Sequence, residues 1–149
     1  MHSLFVPADR DSLALRLAEL EPATARHWGT MDPAQMLCHC ARGLEAGMSD
    51  RPVKQIFLGK LVMPFIRGRV FGDRPFRRNA PTAPFLVVAD PCAFDAERAR
   101  LANAIDRFVQ RGPATAAKAT HIFFGRLSGE EWGILAYKHL DHHLRQFGA

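Results

Sequence analysis

Apolar side chains recur three and four residues apart along several stretches of the chain, and this spacing predicts α-helices. The first stretch, residues 9–20, carries leucines in this pattern and is expected to end before Pro22. A third helical stretch begins at Pro52 and is expected to run to about Phe65. The pattern therefore predicts a mainly helical chain.

Capping signals mark the start of two further helices. Asp32 and Gln35 match a capping box, with Pro33 as the first helical residue, and the helix is expected to reach about residue 48. Ser128 and Glu131 form a second capping box, which begins a last helix that extends to about residue 147. These signals fix the expected register of both helices.

The middle of the chain gives weaker signals. Residues 68–94 are rich in Gly, Pro and Arg and are expected to form a long ordered loop, in which residues 84–89 are either a short strand or extended chain. Asp95 is expected to cap a helix that runs to about Gln110 and ends at Gly112 and Pro113. Its inward residues are predicted to be Leu101, Ile105, Phe108 and Val109.

These elements predict an all-α helical bundle, because no convincing sheet accompanies them. A chain of 149 residues fits one domain, residues 1–149.

The net charge of +5 weakly favours anionic small molecules, and without a recognised nucleic-acid module we expect no nucleic-acid partner. Three cysteines and no evident signal peptide predict a cytoplasmic protein, and the most apolar stretch is too short to cross a membrane.

The segment KHLDHHLRQFG, residues 138–148, places three histidines on the last helix. Because a helix turns about 100° per residue, His139 and His143 share the apolar stripe that points into the bundle. His142 falls at the edge of that stripe, beside Lys138. Two imidazoles one turn apart can converge on one metal ion.

A third ligand must come from another helix, and His39 is the best candidate. It lies at the edge of the apolar stripe of its helix, and Gly43, one turn later, leaves open space beside it. Three histidines would leave coordination positions open for water or substrate. From these residues alone, the alternative that they are hydrogen-bonded core histidines stays open.

Two other patterns in the sequence suggest chemistry. Cys38, His39 and Cys40 suggest a metal knuckle, but on a helix Cys38 points away from Cys40, which is expected to be a small core residue. Residues 67–78 hold five arginines and one aspartate, and they form either a solvated loop or a rim that attracts an anionic substrate. The apolar residues 56–65 could serve as core, pocket lid or dimer surface.

The stretches WGTMDPAQMLCHC and FFGRLSGEEWGILAYKHLDHHLRQFG resemble the DinB-like (YfiT-like) superfamily of metal-dependent proteins, and within it a subfamily of unknown function. The resemblance implies a four-helix bundle with a long irregular loop between its middle helices. In that superfamily one histidine of an early helix joins an H-x-x-x-H pair to bind a divalent metal, and His39, His139 and His143 match these positions. The subfamily tends to have H-P-F-F-G where this chain has Ile122 after His121, which is expected to alter that turn.

Better understood members of the superfamily are thiol transferases or isomerases that use low-molecular-weight thiols. The resemblance therefore implies a metal-dependent transferase or hydrolase, possessing a Zn or Ni ion, or else Fe or Mn, that activates a thiol or water. Gln35, His142 and Gln146 are candidate pocket residues or hydrogen-bond partners of the ligands, although both glutamines also fit ordinary positions on a helix flank. The expected partners are a low-molecular-weight thiol or anionic compound and a second copy of the chain. The alternative function is a non-catalytic metal- or small-ligand-binding helical protein.

Overall fold

The computed structural model describes residues 1–49, 53–80 and 82–149. This part of the chain is mostly helical, which confirms the predicted class, and the helix start expected at Pro52 lies outside the described residues. The α-helices are α1 (Pro7–Ala18), α2 (Pro33–Gly47), α3 (Phe57–Phe71), α4 (Phe94–Ala116) and α5 (Gly129–Gln146), and a small antiparallel hairpin pairs β1 (Thr120–His121) with β2 (Gly125–Arg126).

The hydrophobic core lies among α1, α2, α4 and α5. α2 packs mainly on α4, and α5 contacts all four other helices. Leu13 and Leu17 of α1 are buried, as their spacing predicts. The most enclosed large side chains are Leu4, Leu20, Met36, Leu37, Cys38, Cys40 and Leu101. Burying one leucine or methionine side chain contributes about 1.5–3 kcal/mol, so this shared core holds α2 and α5 against each other.

Both predicted capping boxes are formed. The Gln35 amide donates to Asp32 Oδ1 over 2.8 Å, and the Asp32 amide donates back to Gln35 Oε1 over 3.1 Å. Ser128 and Glu131 make the same reciprocal pair of bonds. These bonds satisfy backbone N–H groups that a helix start otherwise leaves unpaired. They fix where α2 and α5 begin, and hence which side chains face the core.

α3 extends beyond its predicted end at about Phe65 and reaches Phe71. Phe71 is buried, and Lys138 of α5 donates to the carbonyl oxygens of Val70 and Gly72 over 2.6 and 2.7 Å. These bonds satisfy carbonyls at the C-terminal end of α3, a contact that the local sequence does not reveal. Part of the arginine-rich stretch is therefore helical, and the loop predicted to begin at residue 68 begins later.

The surface of α3 carries an exposed group of apolar side chains. Phe57 and Phe65 are 81% and 85% exposed, and Leu58 and Leu61 are also exposed. The core interpretation is wrong for these side chains, whereas Met63 on the same helix is buried. In the part of the chain that the structure describes, no α-helix combines the length and apolar character needed to cross a bilayer.

Three further elements differ from the predicted pattern. Residues 84–86 form a turn of 3₁₀-helix rather than a strand, because the amides of Leu86 and Val87 donate back to nearby carbonyls. α4 begins at Phe94 with Ala93 at its N-cap, so Asp95 lies inside the first turn and does not cap it. The helix was expected to end at Gly112 and Pro113, but Gly112, with a φ of 71° that favours glycine, only interrupts α4, and the chain then adds one more helical turn.

The hairpin between α4 and α5 is organised by His121. Its Nδ1 accepts hydrogen bonds from the amides of Phe123 and Phe124, both over 3.1 Å. The turn is also fastened to the start of α3, since the Ile56 amide donates to the Ile122 carbonyl over 2.9 Å. Removal of the ring from water lowers the pKa of His121 to about 4. At neutral pH His121 is therefore neutral and available as an acceptor for both amides.

Candidate metal centre

The three histidines expected to be ligands lie together between α2 and α5. His39 Nε2 and His139 Nε2 are 3.0 Å apart, and the centroids of the three rings are 4.7–5.0 Å from one another. One ring nitrogen of each residue lies within 4.8 Å of the other two. We call His39, His139 and His143 the histidine cluster. The predicted face of α5 is thus the face that meets α2.

Hydrogen bonds fix the orientation of two of the rings. His39 Nδ1 donates to the Leu86 carbonyl over 2.9 Å, and His143 Nδ1 donates to Gln146 Oε1 over 3.0 Å. The Gln146 amide is itself held, because its Nε2 donates to the Trp28 carbonyl over 2.7 Å. A neutral imidazole with a proton on Nδ1 presents a lone pair at Nε2. Both rings therefore turn a ligand nitrogen away from their hydrogen-bond partners.

The cluster is electrically neutral at neutral pH. Removal from water lowers the pKa of His39, and it lowers that of His143 to about 3, with the neighbouring His39 adding to the effect. The pKa of His139 is also held well below its usual range, first by removal from water and then by His143. Imidazole must be deprotonated to bind a metal, so all three side chains are in the form that binds.

The donor set fits a divalent transition metal. Metal–nitrogen bonds of about 2.0–2.1 Å place two imidazole nitrogens on one ion about 2.9–3.4 Å apart, depending on the coordination geometry. The distance between His39 Nε2 and His139 Nε2 lies in that range. Imidazole ligands suit Zn, Ni, Fe and Cu. His39, His139 and His143 are therefore the residues that could hold such an ion.

Gly43 lies directly against the cluster. A Cβ atom built at this position would be 3.0 Å from His139 Cε1 and 3.3 Å from its Nδ1. The prediction of open space beside His39 is thus only half right, because the ring of His139 fills it. The glycine lets α2 approach α5 closely enough for the two histidine rings to meet.

His142 lies beside the cluster and not within it. Its ring centroid is 5.0 Å from that of His143, 5.9 Å from that of Trp28 and 6.2 Å from that of Phe76. The guanidinium of Arg78 stacks on Trp28 with 4.2 Å between Cζ and the ring centroid. Trp28, Phe76, Arg78 and His142 form an aromatic and basic rim, which we call the Trp28 rim. One arginine of the predicted basic loop therefore reaches the neighbourhood of the histidines.

The two glutamines predicted near the site have different positions. Gln146 is buried and holds His143, as expected of a partner that orients a ligand. The Gln35 side chain is occupied in the capping box and donates weakly to the carbonyls of Ala89 and Asp90, over 3.3 and 3.4 Å. Its hydrogen bonds thus reach the helix start and the segment that carries Leu86.

The sequence did not point to the two carbonyls that complete the site. Leu86 and Trp28 contribute backbone oxygens, whose role does not depend on residue type, so no sequence pattern marks them.

Asp141, the carboxylate in the histidine segment, projects from the opposite side of α5, where it bonds Arg16 and Arg145 over 2.9 Å each. A cleft of about 280 Å³ opens on that opposite side, between Tyr137 and Arg145.

The family of the chain follows from comparison with known sequences. The model of a protein family of unknown function (DUF1569) matches residues 5–149, and the chain belongs to that family. Neither the curated proteins nor the solved structures contain a significant match to the chain.

Proposed function

We propose that this member of the DUF1569 family is a metal-dependent transferase or hydrolase, with its ion held by His39, His139 and His143. The observation that carries the proposal is the 3.0 Å separation of two Nε2 atoms, with the third ring against both. Zn and Ni are the first candidates, followed by Fe and Mn. When bound, the ion would lower the pKa of a coordinated thiol or water and so supply a nucleophile near neutral pH.

The residues around the cluster favour an anionic reactant. The three ligands are neutral, so they leave the charge of a divalent cation unbalanced, and an anionic group on the reactant would balance it. The Trp28 rim adds the guanidinium of Arg78. A low-molecular-weight thiol with a carboxylate, such as a cysteine-containing peptide, has both the sulfur and the negative charge that this arrangement would attract.

The remaining parts of the proposal concern the whole molecule. The close packing of α1, α2, α4 and α5 is consistent with a four-helix bundle of the DinB-like type. The exposed apolar side chains of α3 would serve a second copy of the chain. The cysteines are unpaired, which suits a reducing cytoplasm.

X-ray absorption and competitive titration test the metal site. Metal-free protein is loaded with Ni²⁺, and we expect about one equivalent bound, with nitrogen neighbours at about 2.0–2.1 Å. His143→Ala should weaken Ni²⁺ binding by more than about a hundredfold, because losing even an orienting partner of a ligand costs about 10–100-fold. His142→Ala is the matched control, since it removes the adjacent imidazole, and it should change affinity by less than about threefold.

A protein that binds no divalent metal, or that binds it equally well after His143→Ala, would rule out the site. Activity is then measured with a panel of thiol-transfer and hydrolysis substrates, with and without metal. Turnover that requires both the metal and His143 supports the enzyme. Metal binding without turnover across the panel would favour the alternative of a non-catalytic binding protein.

A further inference from the structure

A second group of side chains that could hold a metal ion includes Cys38, the neighbour of His39 in α2. Cys38 of α2, Cys92 of the segment before α4, and Glu97 in the first turn of α4 bring two sulfurs and a carboxylate oxygen within 4.8 Å of one another. We call these residues the cysteine cluster. Cys38 is adjacent to His39 in the sequence, but a helix turns about 100° between neighbours, so the two side chains face different partners.

We propose that the cysteine cluster is a binding site for a thiophilic divalent cation of the Zn²⁺ and Cd²⁺ class. Two thiolates and one carboxylate are a donor set that selects soft or borderline ions. Three atoms 4.8 Å apart surround a point about 2.8 Å from each, so donors at that limit need to move by about 0.5 Å to reach an ordinary Zn–S distance of about 2.3 Å. A water molecule would complete a four-coordinate ion.

Arg100 organises the cluster. Two of its nitrogens bond the Glu45 carboxylate, Nε to Oε1 over 2.9 Å and Nη2 to Oε2 over 2.6 Å. Its remaining nitrogen, Nη1, donates to Cys38 Sγ over 3.8 Å and to Glu97 Oε2 over 3.2 Å. One guanidinium, fixed at one end by Glu45, thus aligns two of the three donors. Donors to sulfur and carboxylate are the usual support of metal ligands.

Binding of the cation at the cysteine cluster exchanges two protons for the ion. Two thiols release their protons to solvent, two metal–sulfur bonds and one metal–oxygen bond form, and no oxidation state changes. Two thiolates, Glu97 and Glu45 then carry four negative charges against two on the cation and one on Arg100, which leaves one negative charge at the half-exposed edge of the site. The ion has a path to the site, because Cys92 and Glu97 are half-buried while Cys38 is 1% exposed.

Binding would tie the segment before α4 to two helices, α2 and α4, that already pack on each other. The Cys92 thiol donates a long hydrogen bond to the Asp90 carbonyl, over 3.6 Å. With a cation in place, the segment before α4 would be tied to α2 and α4 by metal bonds. The proposed role is therefore to fix this segment, and it is independent of the reaction at the histidine cluster.

The test is an ultraviolet titration of the metal-free, full-length protein with Cd²⁺, with the thiols kept reduced by a phosphine. Sulfur-to-cadmium charge transfer reports thiolate ligation, to which histidine makes no contribution. We expect a band that saturates near one equivalent with the intensity of two thiolates. Cys92→Ser should halve that intensity and weaken binding by about a hundredfold. Glu97→Gln should keep the intensity and weaken binding by about tenfold.

Cys40→Ala is the matched control, because Cys40 is a buried thiol of the same helix whose sulfur contacts Met36, and the band should be unchanged. His143→Ala should also leave it unchanged, so failure of this site and failure of the histidine site are distinguishable. Absence of a charge-transfer band in the reduced protein, or an equal band and affinity after Cys92→Ser, would overturn the proposal.

Discussion

The histidine cluster and the cysteine cluster each take one member from α2, His39 and Cys38, which are adjacent in the sequence. The two side chains are oriented by different kinds of interaction. His39 sits among neutral groups and is oriented by a backbone carbonyl. Cys38 sits beside a guanidinium that two carboxylates hold in place. Burial keeps the imidazoles of the histidine cluster uncharged, whereas ion pairs with Arg100 orient the donors of the half-exposed cysteine cluster.

The difference shows how one helical turn can serve two sites without mixing them. The neutral cluster offers imidazole nitrogen, and the charged cluster offers sulfur and oxygen, so the two should differ in the ions they prefer. The comparison also predicts different responses to mutation and to pH.

The largest expected effect is that a substitution in one cluster weakens metal binding at that cluster and leaves the other cluster unaffected. His39→Ala should weaken Ni²⁺ binding by more than about a hundredfold. It should leave the Cd²⁺–thiolate band in place and change the Cd²⁺ affinity by less than about threefold. Cys92→Ser should give the reverse, because it removes a sulfur donor and leaves the imidazoles in place. Parallel titrations of both variants with both ions measure this. A variant that loses both signals while remaining folded by circular dichroism would show that the clusters are not separate.

Acid should affect the histidine side of the molecule first. The pKa of His121 is lowered to about 4, so the unfolded chain takes up a proton below pH 6.5 while the folded protein does not. The contribution of neutral His121 to the free energy of unfolding is fully present above pH 6.5. It is lost as pH falls toward 4, and the total loss is about 3 kcal/mol.

On the cysteine side, the Arg100 guanidinium lowers the pKa of Glu45. Its contribution to stability is present above the ordinary glutamate pKa and is lost only below it, as pH falls through the lowered value. Urea unfolding of metal-free protein between pH 7.5 and 4.5 measures the difference. His121→Gln should reduce the slope by up to about 1.4 kcal/mol per pH unit, and an unchanged slope would contradict the assignment.

Gln146→Leu should reduce Ni²⁺ affinity by about 10–100-fold, because it removes the acceptor that orients His143. Gln35→Leu is the comparison, since Gln35 supports only the helix start and the segment near residue 90. It should cost about 0.5 kcal/mol in the free energy of unfolding and change Ni²⁺ affinity by less than about threefold. Equal losses of affinity in the two variants would contradict the different positions of the two glutamines.

The smallest expected effect comes from Gly43→Ala. The added methyl group would press on the His139 ring, so we expect Ni²⁺ affinity to fall by about tenfold and the Cd²⁺–thiolate band to stay unchanged. Gly68→Ala is the matched control, because the space around Gly68 is open. It should raise the free energy of unfolding by up to about 1 kcal/mol through helix propensity and leave Ni²⁺ affinity unchanged. Unaltered Ni²⁺ affinity after Gly43→Ala would show that His139 can move away without loss.

Local signals were enough to predict the elements that carry the histidines. The capping boxes at Asp32 and Ser128 are formed by side chains within three residues of each other, and the resulting register puts His139 and His143 on the inner face. The meeting of this pair with His39, expected from resemblance, is present in the fold. Whether a metal occupies the histidines in solution stays a prediction.

The parts that the sequence did not predict depend on contacts between distant segments. α3 is longer than its own pattern suggests because Lys138 binds its last carbonyls. The cysteine cluster was not predicted, because Cys92 comes from an irregular segment whose path no periodicity reveals. Helical phase did separate Cys38 from Cys40, and that separation is what leaves Cys38 directed toward Cys92 and Glu97.

The short stretch between Leu86 and Cys92 places a limit on how this chain can change in length. One end accepts a hydrogen bond from His39 and the other carries a donor of the cysteine cluster, with five residues between them. Surface connections usually tolerate inserted or deleted residues. Here a single insertion would shift either the carbonyl that orients His39 or the sulfur of Cys92, so the residue count of this connection should be as constrained as the identity of the ligands.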